Sequence, residues 1–110
     1  TNLSSMDLSY ANLSDADLAH VDLSGADLSG ADLSSVGLSD SDLSGADLSN
    51  ADLSGMNVQR SDFTGADLSG ADLTGSQLKW SDLDDVIWTG ATCPDGEKAD
   101  DNGGTCENNL

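Results

Sequence analysis

The chain has 110 residues, with three basic side chains against 21 acidic ones, a formal charge of −18, and 36% apolar residues of which few are aromatic. That length allows one domain, and so few large apolar side chains exclude an ordinary globular core, while the charge alone would suggest disorder. Strict periodicity overrides that suggestion: "DLSGADLSGADLSS", residues 22–35, carries an Asp-Leu-Ser triplet every fifth residue, a spacing that neither an amphipathic helix nor an alternating strand produces.

The repeat is already in progress at Thr1, two positions before Leu3. Leu3, Met6, Leu8 and Leu13 would face water from an open first coil, which predicts either preceding chain or a second copy docked end to end as a homodimer. Leucine then recurs in steps of five through Leu53, followed by Val58, Phe63, Leu68, Leu73, Leu78 and Leu83, seventeen units without a gap. Two residues before each unit from Leu8 onward lies Ala, Val or Met, with Ser41, Ser61, Ser76 and Ser81 as exceptions. A chain that turns a corner every five residues accounts for this. Period-two geometry points the leucine and the residue two before it inward and the intervening Asp or Asn outward, and Ser and Gly supply the turn. Four corners close a square, so about 20 residues form one coil, and coils stack at ~4.8 Å with backbone hydrogen bonds between them.

The run A-D-L-S-G across residues 1–90 resembles the pentapeptide-repeat proteins, whose consensus is A-[DN]-L-x-x. The resemblance implies an all-β fold: a right-handed quadrilateral parallel β-helix, here of about four to five coils, over residues 1–90. It leaves function open, because members have widely different roles and a fold does not imply an activity. Some members are DNA mimics that protect or inhibit DNA gyrase; those are longer, and dimerise through a C-terminal helical segment that has no counterpart in this sequence.

Outward residues twenty apart form columns on four faces. The first carries Asn2, Asp22, Asp42, Asp62 and Asp82; the second Asp7, Asp27, Asp47 and Asp67; the third Asn12, Asp32, Asp52 and Asp72. These acidic columns have two open readings, as acceptors that cap nearby backbone turns or as an imitation of duplex phosphates. On either reading, stacked like charges predict that stability rises with ionic strength. The fourth face, Asp17, Gly37, Asn57 and Gln77, loses its charge. Its corner column reads His20, Asp40, Arg60 and Trp80, beside Ala19, Ser39, Gln59 and Lys79. Stacking predicts an Asp40–Arg60 salt bridge and an Arg60–Trp80 cation–π contact. His20, Asp40, Arg60, Lys79 and Trp80 are therefore the candidate interaction face, the competing reading being a surface that has drifted and whose pairs mend it.

Trp88 and Cys93 keep the five-residue register, and Val86, Ile87 and Trp88 make a bulky apolar group suited to plug the last coil. Residues 91–110 are polar and turn-rich, and Cys93 and Cys106, thirteen positions apart, are expected to close a capping loop as a disulfide. Their spacing fits neither a zinc site nor a C-x-x-C redox pair. The bridge in turn predicts an oxidising location: extracellular, cell surface or periplasmic. Asp95, Glu97, Asp100, Asp101 and Asn102 offer oxygens to calcium but match no EF-hand loop, so no metal is expected there and a solvated loop is the competing reading.

His20, Asp40 and Ser39 look like parts of a hydrolytic triad, yet a convex rod offers no pocket or oxyanion site, so neither catalysis nor a cofactor is expected. No stretch is apolar enough to span a membrane, and nucleic acid is not among the expected partners. The sequence reads as a non-catalytic secreted or cell-surface β-solenoid, a structural or protein-binding module with an unidentified protein partner and part of a longer chain. The alternative is an acidic DNA mimic that occupies a DNA-binding protein such as DNA gyrase.

Overall fold

The structure is a computed structural model that describes residues 1–101 and 103–106. Every parallel bridge in it joins residues twenty apart, from Asn2 opposite Asp22 to Asp72 opposite Thr92. The chain therefore winds as a parallel β-helix whose four sides repeat every twenty residues.

One unit shows why five residues suffice, because each of its backbone donors finds an acceptor. Asp27 N donates to Met6 O at 2.9 Å in the coil before, while Leu28 N and Gly30 N donate to Asp47 O at 2.7 Å and Ser49 O at 2.9 Å in the coil after. Ala31 N closes the turn onto Leu28 O at 3.0 Å. The remaining donor, Ser29 N, faces no neighbouring coil and is taken by Asp27 Oδ1 at 3.0 Å, which also accepts the Ser29 hydroxyl at 2.6 Å. A buried or half-buried N–H left without a partner costs as much as a lost hydrogen bond, so an Asp or Asn at this position stabilises the turn. The fifth residue of each unit adopts a left-handed conformation, φ 67° at Gly30, which glycine enters without steric cost.

Inside the tube, Leu23, Leu28, Leu33, Leu38, Leu43, Leu48 and Leu53 are all fully buried, as are Val58 and Phe63. The first coil differs: Leu3, Leu8, Leu13 and Leu18 are half-buried and Met6 is 44% exposed. At the other end Trp88 and Cys93 occupy inward positions and are buried, with Cys93 bonded to Cys106 across a Cα separation of 5.3 Å. A short 3-10 turn, Ala99–Asp101, and an antiparallel bridge between Thr92 and Lys98 fold the tail back over this end.

The fourth face departs from the rule in two ways. Its last two passes form three-residue strands, β1 (Asn57–Gln59) and β2 (Gln77–Lys79), paired in parallel with Val58 opposite Leu78. There Asn57 Oδ1 accepts the Gln59 side-chain amide at 3.5 Å. The corner that follows is also rebuilt. Val21 N donates to Ser41 Oγ at 3.2 Å, and Ser41 Oγ donates to Leu18 O at 2.8 Å. A hydroxyl from the next coil is thus inserted between the turn's own N–H and C=O. The same insertion recurs one coil on, where Ser41 N donates to Ser61 Oγ at 3.1 Å and Ser61 Oγ donates to Leu38 O.

Ser76 is a contrasting case. It takes an inward position over Met56, is 4% exposed, and among the described residues its hydroxyl is the one buried side-chain polar atom with no hydrogen-bond partner. We expect Ser76→Ala to raise stability by about 1 kcal/mol and Ser61→Ala to lower it by about 1–2 kcal/mol, since the first removes an orphan and the second creates two. Urea unfolding of both variants measures the pair, and equal signs would contradict the assignment.

Candidate functional site

The rebuilt corner carries His20, Asp40, Arg60 and Trp80 at successive levels, each in the left-handed conformation with φ between 55° and 61°. The other three corner columns place glycine at two or more of these positions, as at Gly25, Gly45 and Gly65. Here no position is glycine, so each of the four residues bears a cost that its side chain must offset.

Arg60 forms a bidentate pair with Asp40, Nε to Oδ1 and the second nitrogen to Oδ2, both at 2.9 Å. The Arg60 hydrogen bonds hold the Asp40 carboxyl below its ordinary range, with the charges of Arg60 and His20 adding to them, and the same pair raises the Arg60 guanidinium. The expected salt bridge is present. Both prongs of the Arg60 guanidinium go to Asp40, and Arg60 and Trp80 line the same surface depression. His20 is exposed and makes no side-chain hydrogen bond to Asp40 or Ser39, so the three do not assemble as a triad.

Trp80 is 75% exposed and stands as a wall between two grooves. One, of about 530 Å³, runs over the corner onto the first face, where Asp42, Asp62 and Asp82 line it with Arg60 and Trp80. The other, of about 520 Å³, lies on the β2 side and includes Lys79 and Leu78. Sequence reasoning placed the corner residues together but missed the grooves. The sequence signal at this place is the departure from Ala at residues 41 and 61, whose side chains line the first groove.

The acidic columns stack as expected, Asp22 on Asp42 on Asp62 on Asp82, Asp27 on Asp47 on Asp67, and Asp32 on Asp52 on Asp72. Each of these carboxylates accepts the N–H two residues on. Asn2 and Asn12 perform the same task with an amide oxygen, at 2.9 and 3.1 Å, so the turn needs the acceptor and not the charge. We therefore expect Asp47→Ala to cost about 1 kcal/mol and Asp47→Asn to cost almost nothing at low salt, read from the two melting curves. Equal losses would mean that the charge itself is structural.

Hydroxyl and backbone bonds from Ser9, Ser24, Ser34 and Thr74 hold Asp7, Asp22, Asp32 and Asp72 below the usual carboxylate range. A depressed folded value means that this stabilisation is complete above the unfolded value, near pH 4, and is lost as pH falls through the folded one. Melting temperature should accordingly fall as pH is lowered below about 4. A rise across that window would show that relief of column repulsion dominates.

In the tail, Asp95 Oδ1 accepts Glu97 N at 3.0 Å and Asp100 Oδ1 accepts Gly90 N at 3.1 Å, so both serve as turn acceptors. Asp101 is exposed in the 3-10 turn, and Asn102 lies outside the described residues. Among the described residues no three His, Cys, Asp or Glu side chains gather as a metal site, and no helix is long and apolar enough to cross a membrane.

A family model described as pentapeptide repeats matches residues 1–34 and 41–78 in eight copies. Among solved structures, a pentapeptide repeat protein from the cyanobacterium Cyanothece 51142 is 32% identical over 73% of this chain and 58% of its own, with a TM-score of 0.61. A pentapeptide repeat protein from the Arabidopsis thaliana thylakoid lumen is 33% identical over 86% of this chain and 69% of its own, with a TM-score of 0.51. A third, from Nostoc PCC 7120, is 43% identical over 74% and 63%, with a TM-score of 0.48. The chain thus spans less than two thirds of the first and third of these structures. No curated protein matches it with significance.

Proposed function

The chain belongs to the pentapeptide-repeat family, whose fold is a right-handed β-helix, and from that premise we propose that it is a non-catalytic protein-binding module that recognises its partner through the corner of His20, Asp40, Arg60, Lys79 and Trp80. The observation that carries this reading is Trp80 itself. A large aromatic, 75% exposed, is held in a left-handed conformation at a corner where glycine would cost nothing. Exposed Trp beside Arg is also the composition of an interface hot spot. Residues that serve binding at the expense of stability behave in a particular way on replacement. Trp80→Gly is expected to stabilise the fold by about 1 kcal/mol while abolishing partner capture. The Cys93–Cys106 bridge supports an oxidising location, outside the cell, on its surface or in the periplasm.

A second reading rests on Asn2 and Asn12, which cap their turns without charge and so leave the charge of the columns unexplained by the fold. On that reading the acidic rod mimics DNA and occupies a DNA-binding protein such as DNA gyrase. Affinity capture with wild type, Trp80→Ala and the triple variant Asp27→Asn, Asp47→Asn, Asp67→Asn discriminates the two. Loss at Trp80 alone supports the corner, loss at the column alone supports mimicry, and capture by Trp80→Ala at wild-type strength overturns the first.

A further inference from the structure

We propose that the groove between Trp80 and the first face receives an arginine side chain from an exposed basic segment of the partner protein, with the guanidinium over the indole and against the Asp62 and Asp82 carboxylates. This deepens the protein-binding reading and rests on it.

The groove's charges are unequal in kind. Asp40 and Arg60 neutralise each other through their bidentate pair. Among the described residues Asp42, Asp62 and Asp82 form no ion pair, and each engages its own turn through Oδ1, so that Oδ2 is not used by the turn. Parallel bridges join Asp42 to Asp62 and Asp62 to Asp82, so these oxygens rise along one wall at the coil spacing of ~4.8 Å. The opposite wall is Trp80, which is 75% exposed. An aromatic face opposite carboxylates is complementary to a cation, and the planar guanidinium is the side chain that stacks on indole while donating two parallel hydrogen bonds to a carboxylate. The net charge of −18 adds a field that steers basic segments toward the rod. Ser41 and Ser61, whose hydroxyls enter the corner's hydrogen bonds, also line the groove.

The test uses the intact chain and three probe peptides, acetyl-Gly-Arg-Gly-Arg-Gly-amide and its lysine and citrulline counterparts, titrated by calorimetry at low salt and followed by tryptophan emission in a Trp88→Phe background, where Trp80 is the sole tryptophan. Arginine should bind more tightly than lysine, and the uncharged citrulline peptide should not bind. Trp80→Ala should weaken the arginine peptide about tenfold, and the pair Asp62→Asn, Asp82→Asn should do the same, the asparagines preserving the turns. The pair Asp27→Asn, Asp47→Asn on the second face should change affinity less than about twofold. Equal losses from the two faces, arginine and lysine bound alike, or no saturable binding at millimolar peptide would each overturn the assignment. Should the peptides fail while partner capture still depends on Trp80, the arginine assignment falls and the recognition corner stands. Should capture also ignore Trp80, both fall.

Discussion

Replacing Leu48 by Ala is expected to destabilise the protein by about 3–4 kcal/mol, more than any change on its surface. Leu48 is fully buried in an inward column with Leu28 below it, Leu68 above and Trp88 at the end. Its backbone is fixed on both sides: Leu28 N donates to Asp47 O at 2.7 Å and Leu48 N to Asp67 O at 2.8 Å. The ladder therefore holds the coils at their spacing when the side chain is removed, and the cavity cannot collapse. Large-to-small substitutions cost most where the site cannot relax, which places this one above the lower end of the usual range. A solenoid coil contacts only its neighbours, so the damage should also be local in extent. Hydrogen exchange should accelerate first at Leu28, Leu48 and Leu68, with the corner at Trp80 keeping its conformation. A loss below about 1 kcal/mol in urea unfolding would mean that the leucine columns do not carry the stability of the tube.

Much of this arrangement is legible in the sequence because the tube translates a distance of twenty along the chain into contact. Knowing the register, Asp40 must lie under Arg60 and Cys93 must end the column of Leu53 and Leu73, and both are so placed. What escapes sequence reading is competition between neighbours that the register alone brings together. Arg60 lies between Asp40 and Trp80, and the two-pronged geometry of its bond to Asp40 is something that no periodicity encodes. The serines were visible as departures from Ala, but not their effect. Ser41 and Ser61 stack and can enter the turn below, whereas Ser76 stands over Met56 and finds no partner, a difference set by the neighbouring coil. The extended pairing of β1 and β2 is likewise not encoded by the repeat, since the units of Gly37 and Ile87 also lack an acceptor and keep the turn.

Removing the disulfide, by Cys93→Ala with Cys106→Ala, is expected to cost about 3 kcal/mol, the chain-entropy value for a loop of this separation. The cap has other attachments: Cys93 N donates to Glu97 O at 2.7 Å, Ala99 N to Ala91 O at 2.9 Å and Gly75 N to Pro94 O at 2.9 Å. Most of these are local to the tail, and bonds with accessible ends open at little cost once the crosslink no longer limits the loop. Ala91, Ala99 and Cys106 would then leave the end of the core, where they are now fully buried. Trp88, 5% exposed beneath the same end, reports the opening. In a Trp80→Phe background it is the sole tryptophan, and its emission should shift to longer wavelength on loss of the bridge before the remainder of the tube melts. Should the melting temperature and the Trp88 emission both stay unchanged, the cap is held by its hydrogen bonds and apolar contacts alone, and the crosslink contributes to something other than stability.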